Sequence, residues 1–559
     1  MHRTRLGVVK ESSALRIIRN NTMRIKLNTR LNLLLVVVMT TGSLGYAEEH
    51  RPNILFFFAD DWGRYASIYA EKDKPSLNDV ISTPNIDRIG QEGVVFENAF
   101  VPVASCAPCR ASLATGRYLW KCGSNAFLNT KGSNWDGYDN LMKTLPKFGD
   151  LLRDSGYFVQ RSRKTFAFTQ SRSTPAMKNF GKVPYERYGL YVGTAANEQE
   201  RQQRHNEVVE NSRREMQRIL AGTPEGQPFF FVFGSINVHR PYTPDSGKEL
   251  WGIEPDSLKG LIPKFLPDAH DVRRDFSDYL GEVLALDLML GAMLDELEAS
   301  GELDNTVIVL SGDHGIPGIP RGKTNCYDLA TRVPLLVRWP KGISAGRRVN
   351  DFVSIMDVGP TLLDFAGSKP PPSMDGCSFL PQLLSKKDGW VDPKRDSVII
   401  GRERHYYNAR PGNLPYPMRA VRTPDHLYIR NFKPQRWPMG NPYDAAELTS
   451  SDELYEMGLS TVPAYRDLDG SLTKAWMMSQ REAPHDKELF SLTMNPRPSE
   501  ELYDLKNDPD QLVNLAADSQ HASTLNALRA RVEKVMNNTN DPRLTDAFDQ
   551  LPWVDSTKP

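Results

Sequence analysis

The chain has 559 residues, longer than one ordinary domain, which predicts a large domain followed by a smaller one. Lys plus Arg and Asp plus Glu stand at 69 each, so no bulk charge attracts nucleic acid, and any anionic ligand has to be met by a local basic site. A content of 40% hydrophobic and 9% aromatic residues excludes a disordered chain.

The first segment, residues 1–47, reads as a signal peptide with an N-terminal extension. Arg24, Lys26 and Arg30 form a positive region, the run from Leu31 to Met39 is apolar apart from Asn32, and Gly45-Tyr46-Ala47 supplies the small residues of a cleavage site before Glu48. Met23 is an alternative start. The apolar run is too short to span a bilayer comfortably, so the expectation is an exported, periplasmic or extracellular protein with no stable membrane span.

Next comes Asn53-Ile54-Leu55-Phe56-Phe57-Phe58, a continuous apolar run that predicts a fully buried strand. Similar runs recur at Phe229–Phe233, Thr306–Leu310 and Val333–Val337, with helical patterns between them at Glu198 to Leu220 and Phe276 to Leu297. Buried strands alternating with helices predict an α/β domain over residues 48–395, built on a large, mostly parallel sheet flanked by helices. Lys369-Pro370-Pro371-Pro372 reads as a loop. From about residue 396 the pattern changes to short strand-like pieces such as His426–Phe432 and Glu501–Leu505. A turn succeeds them at Asp508-Pro509, then a last helix over Ser519 to Met536. This predicts a smaller α+β domain over residues 396–559.

Ligands of parallel sheets sit at the carboxyl ends of the strands. There this sequence places Asp60-Asp61, then Asn237 and His239, then Asp313-His314. Asp60-Asp61 alone reads equally well as a helix cap or a solvated turn. Repetition of polar residues at several strand ends points to a cation site, because an unpartnered buried carboxylate is costly. Oxygen ligands without a Cys/His cluster favour calcium or magnesium over zinc. Arg110, Lys164, His239 and Lys323 are candidate cationic groups or proton donors. The five cysteines (106, 109, 122, 326 and 377) are an odd number for an exported chain. Cys106-Ala107-Pro108-Cys109 can be read as a thioredoxin-type redox pair or as two structural thiols, though a redox motif belongs in a small βαβ domain.

Cys106-x-Pro108-x-Arg110, continued by Leu113-Ala114-Thr115-Gly116-Arg117, resembles the signature of the type I sulfatase family, whose fold is alkaline-phosphatase-like. Cys109 stands where the family usually has Ser. Other family segments occur in order: Arg51-Pro52-Asn53-Ile54 leading to Asp60-Asp61, Ser82-Thr83-Pro84-Asn85-Ile86-Asp87, Ser311-Gly312-Asp313-His314-Gly315, Gly322-Lys323 to Asp328, and Leu502-Tyr503-Asp504-Leu505 through Asn514-Leu515. Ala104-Ser105-Cys106, Gly315-Ile316-Pro317 and Tyr416-Pro417-Met418-Arg419 resemble the subgroup of N-sulphoglucosamine sulphohydrolase (heparan N-sulfatase) and its bacterial arylsulfatase relatives.

The resemblance implies a sulfuric ester hydrolase acting on a sulfated carbohydrate, with sulfate esters and N-sulfate both open. It implies that a maturation enzyme, a formylglycine-generating partner, converts Cys106 to formylglycine. Asp60, Asp61, Asp313 and His314 would hold a divalent cation, Ca2+ ahead of Mg2+, with modified Cys106, His314 standing where Asn is often found. Arg110 would brace nucleophile and carboxylates, Lys164 and Lys323 would bind sulfate oxygens, and His239 would bind sulfate or protonate the leaving group. A hydrated aldehyde has a second hydroxyl through which sulfate can be released; a thiol has none. The family's K-x-H is here Lys164-Thr165-Phe166, so His405 is a candidate substitute for the absent imidazole. Arg404, His405 and Arg419 are the candidate substrate-recognition residues. Two rivals stand beside this reading: a phosphonate or phosphodiester hydrolase of the same superfamily, and an inactive homologue that binds sulfated glycans.

Overall fold

The computed structural model describes residues 51–71, 75–127, 139–165 and 187–550. The expected signal segment 1–47 and Phe166 lie outside the described residues.

The run at Asn53 becomes strand β1 (Asn53–Ala59), buried at every position. It is central in a seven-stranded sheet of order β3-β4-β1-β5-β6-β2-β7. The other strands are β2 (Val94–Phe100), β3 (Phe158–Arg163), β4 (Phe229–Gly234), β5 (Thr306–Gly312), β6 (Leu335–Arg338) and β7 (Arg347–Ser354). Only β6 runs antiparallel to its neighbours. A strand covered on both faces needs apolar residues on both. Leu55 and Phe57 of β1, Phe231 and Phe233 of β4, and Ile308 and Leu310 of β5 enter one core. The residues between them, Ile54, Phe56, Phe58, Phe230, Val232, Val307 and Val309, enter the core on the other face.

Helices α2 (Glu198–Gly222) and α3 (His270–Ala299) cover the first face. Helix α3 starts six residues before the expected Phe276. Val272 continues its buried stripe, and the charged residues around it are paired, Arg273 with Asp268 at 2.8 Å and Asp275 with Arg240 at 2.6 Å. The strand expected at Val333–Val337 begins after Pro334, whose missing N–H suits a strand start. The last helix opens with a 3-10 turn, Ser519–His521, before α4 (Ala522–Asn538). Strands β2, β3 and β7 were not expected; polar residues interrupt their apolar patterns.

The smaller C-terminal part carries a four-stranded antiparallel sheet of β8 (Val398–Arg402), β9 (Met418–Arg422), β10 (His426–Asn431) and β11 (Glu500–Asp504), in the order β11-β10-β9-β8. One face packs under α4 through Val421, Tyr428 and Leu502. The other packs Ile400, Met418 and Ile429 against Phe100, Tyr327 and Phe352 of the larger part. Among the described residues no helix is long and apolar enough to cross a membrane.

Candidate active site

Parallel register fixes where the polar residues emerge. Ala59 pairs with Gly312, and Phe57 with Phe233, so the chain leaves β1, β4 and β5 at one edge of the sheet. Asp60-Asp61, the segment to His239, and Asp313-His314 all project there. Gly312 permits the close approach: a Cβ on it would lie 2.0 Å from the Trp62 carbonyl oxygen. Asp61 sits in the left-handed region at φ 59°, a costly conformation for Asp that is over-determined here. Its N–H donates to Asp313 Oδ1 at 2.9 Å, and its carbonyl accepts from Tyr279 Oη at 3.0 Å.

Helix α1 (Cys106–Thr115) brings the fourth component. Cys106 is its first residue, and Ser105 is the N-cap but makes no side-chain capping bond. The Ser105 hydroxyl pairs instead with His405 Nδ1 at 2.8 Å. Cys106 thus stands at the N-terminus of α1, where a helix favours negative charge. Cys106 Sγ lies 3.3 Å from His314 Nε2 and 3.9 Å from Asp61 Oδ1.

Ion pairs knit the floor. Arg110 Nε donates to Asp313 Oδ2 at 2.9 Å and its Nη2 to Asp60 Oδ1 at 3.2 Å, all three side chains being buried. Its Nη1 donates to the Lys164 carbonyl at 2.7 Å. The Lys164 ammonium pairs with Asp60, and Lys323 Nζ lies 3.1 Å from Asp61 Oδ1. His239 donates from Nδ1 to the Arg240 carbonyl at 2.6 Å, which turns Nε2 toward Asp60 and Asp61 at 4.0 and 3.9 Å. With a quarter of its side chain exposed, His239 stands on the open side.

Burial and neighbouring charges act against each other on Asp60, Asp313 and His314. Burial alone would raise Asp60, but Lys164, His239 and Arg110 outweigh it and hold Asp60 well below the usual carboxylate range. Burial keeps Asp313 above that range, with His314 and Arg110 pulling the other way. Burial also opposes a charge on His314, yet Asp313 and Asp61 lift its pKa to about 10. Its Nδ1 donates to the Gly315 carbonyl at 3.1 Å, so Nε2 is aimed inward, 3.2 Å from Asp61 Oδ1. Ligand atoms of Asp60, Asp61, Cys106 and His314 lie within 4.8 Å of one another, a donor set and spacing that fit one divalent cation. Asp313 is beside this group, with Oδ1 3.5 Å from His314 Nε2.

The remaining expected residues separate. His405 is buried behind α1, where burial and Lys323 depress its pKa to about 3. Arg404 lines a small cavity with Ser105, Pro108 and His405, while donating from Nη1 to the Asn413 carbonyl at 3.3 Å. Arg419 is not brought to the site. It is buried where the C-terminal part meets the larger one, paired with Asp541 at 2.6 Å and Glu403 at 2.8 Å and packed over Trp120. Sequence reasoning missed Ser105, Tyr279 and Asp469, whose Oδ2 is 3.3 Å from Lys323 Nζ. Asp467-Leu468-Asp469-Gly470 comes after no strand, so only the fold reveals its place.

Cys106 at a helix terminus, converging carboxylates and neighbouring lysines, set at the carboxyl edge of an alkaline-phosphatase-like sheet, fit the class of sulfuric ester hydrolases, to which the relatives of this chain belong. The chain belongs to the sulfatase family: the Sulfatase family model matches residues 52–368, more than half of its length, and the model for the N-sulphoglucosamine sulphohydrolase C-terminal region matches residues 321–450. It is 25% identical over 513 residues to an ulvan-active sulfatase of Formosa agariphila, covering 88% of this chain and 76% of that one. It is 27% identical over 523 residues to N-sulphoglucosamine sulphohydrolase of Homo sapiens, covering 89% of this chain and 92% of that one. The fold matches that of a protein solved in complex with its substrate D-glucosamine-2-N,6-O-disulfate, with a TM-score of 0.54 and 19% identity over 88% of this chain and 99% of that one.

Proposed function

We propose that this sulfatase removes sulfate from a sulfated carbohydrate, using formylglycine made from Cys106 and a divalent cation, calcium ahead of magnesium, held by Asp60, Asp61, Asp313, His314 and residue 106. The observation that carries the reading is the convergence of Cys106, Asp61 and His314 at the start of α1, over a floor where Arg110 joins Asp60 to Asp313. The names of both relatives support a carbohydrate substrate. When present, the cation offsets the carboxylates and polarises sulfate oxygens, and formylglycine offers an oxygen nucleophile in place of sulfur.

The chain's own residues supply the rest. Arg110, with its planar fork on two carboxylates, fixes the cage and offsets the repulsion between Asp60 and Asp313. Lys164 and Lys323 stand on opposite carboxylates, Asp60 and Asp61, and offer their ammonium groups to the sulfate oxygens as charge builds there. His239 reaches in from the open side, with Nδ1 fixed on a carbonyl and Nε2 free to carry a proton to the leaving atom. His405 is a poor replacement for that role. A group held near pKa 3 is neutral at working pH and does not donate a proton efficiently. It acts as a hydrogen-bonding partner of Ser105. Residues 24–47 support export of the chain to the periplasm or the extracellular space.

Mass spectrometry of the Cys106 peptide tests the nucleophile. Formylglycine makes the peptide lighter than the thiol form, whereas sulfenic acid makes it heavier. Native protein with only unmodified thiol would refute the enzymatic reading and leave a glycan-binding homologue. Turnover of defined sulfated saccharides beside phosphodiesters and phosphonates then separates the sulfatase from a phosphonate or phosphodiester hydrolase.

A further inference from the structure

Asp469 belongs to the C-terminal part of the chain, yet it stands in the active site. Its Oδ2 is buried 3.3 Å from Lys323 Nζ and accepts no hydrogen bond of good geometry. The side chain is 19% exposed, and with Oδ2 buried the carboxylate meets solvent through Oδ1. His239 and His405 are close enough to act on it electrostatically, and with Lys323 they keep it ionised although burial opposes this.

The turn that carries it is pinned at both ends. Asp467 is locked by Arg402 at 2.8 Å and Arg410 at 2.7 Å, and it accepts the Tyr406 N–H at 2.7 Å. Ser471 Oγ donates to the Gly318 carbonyl at 2.7 Å, and a Cβ on Gly470 would lie 2.3 Å from the Leu459 carbonyl oxygen. The carboxylate is therefore held in place before any ligand arrives.

Its charge needs a reason. Lys323 already has Asp61 at 3.1 Å, so a second carboxylate is not required to neutralise it. A negative group at the rim also works against sulfate. Both disadvantages are offset if the group binds a hydrogen-bond donor beyond the sulfate, because an ionised carboxylate only accepts.

We propose that Asp469 reads the substrate beyond its sulfate: Oδ2 positions Lys323, and Oδ1 accepts a hydrogen bond from a hydroxyl or nitrogen-bound hydrogen beside the sulfated position of the sugar. The proposal rests on a carbohydrate being the substrate. It makes Asp469 a specificity-determining residue that separates sugar sulfates from aryl sulfates.

The test compares wild type, Asp469→Asn and Asp469→Ala on 4-nitrophenyl sulfate, which has no donor beside the ester, and on the best-cleaved member of a panel of sulfated glucosamines with its monodeoxy analogues. Both substitutions lower kcat/KM on the aryl sulfate through Lys323. On the sugar Asp469→Ala lowers it by at least about tenfold more, with the extra loss in KM, and the deoxy analogue that is poor for wild type is no poorer than the parent sugar for this variant. Equal losses on both substrates overturn the proposal and leave Asp469 as a support of Lys323 alone. Wild type that cleaves the aryl sulfate but no sugar overturns the carbohydrate reading itself, and the proposal with it. Asp469→Asn keeps size and an acceptor, and its thermal midpoint shows whether the fold is intact.

Discussion

Two clusters of buried charge lie in this molecule, and they differ in how their charges end. In the C-terminal part a set of buried guanidiniums is matched to carboxylates. Arg419 takes Asp541 and Glu403, Arg543 takes Glu403, and Arg402 and Arg410 share Asp467. At the sheet edge Arg110, Lys164 and Lys323 also have partners, but Asp60, Asp61, Cys106 and His314 converge on a common centre. Burial and charge are alike in both; the convergence of four ligand atoms within 4.8 Å of one another is what distinguishes a site from a brace.

The largest expected effect comes from breaking the floor. Arg110→Ala strands Asp60 and Asp313 without their shared partner, which costs about 3–5 kcal/mol of stability, and it lowers turnover by about 10²–10³-fold. Added calcium restores part of the thermal midpoint, because a cation can replace the missing charge. Arg419→Ala costs about 3 kcal/mol through the orphaned Asp541, loses its packing on Trp120, and is not rescued by calcium. Folded Arg419→Ala keeps the wild-type KM for the sugar sulfate. Thermal melts with and without calcium, read beside kcat and KM, check both; a calcium-rescued Arg419→Ala would erase the distinction between the clusters.

Much of the first cluster was legible in the sequence, and most of the second was not. Continuous apolar runs at β1, β4 and β5 announce strands buried on both faces, and the polar residues at the carboxyl ends of such strands share one edge by topology alone. That reasoning reaches Asp60, Asp61, His239, Asp313 and His314. It does not reach Asp469 or Ser105, whose contacts with Lys323 and His405 join segments far apart in the chain. Nor does it separate Arg404, His405 and Arg419, which sit close together in sequence. On strand β9 the side chain of Arg419 is turned toward Glu403, Asp541 and Trp120, and a sequence shows its charge but not its partners.

A smaller effect sharpens the contrast from the ligand side. A chelator removes whatever stability a cation adds, and calcium at about a hundred times its dissociation constant restores about 2.7 kcal/mol. His314→Ala and Asp61→Asn weaken that calcium-dependent rise in thermal midpoint, whereas variants of Arg402 or Arg543 melt lower but keep it. Isothermal titration with calcium gives the same comparison without reference to turnover.

His405 lies on the boundary between the two clusters, and its effect emerges only as the pH is lowered. Burial and Lys323 depress its pKa to about 3 in the folded protein, against about 6.5 for an unperturbed histidine. The unfolded chain therefore binds a proton that the folded chain refuses between those values. The stability from keeping this ring neutral is fully present above pH about 6.5 and falls as pH drops toward 3, with a slope of at most about 1.4 kcal/mol per pH unit. His405→Asn keeps an amide atom where Nδ1 meets the Ser105 hydroxyl but cannot take up that proton. Denaturant melts from pH 7 to 4 should then show a shallower decline for the variant by about one proton. An unchanged slope would mean that His405 is protonated in the fold as readily as in the unfolded chain, and would return it to the proton donors beside His239.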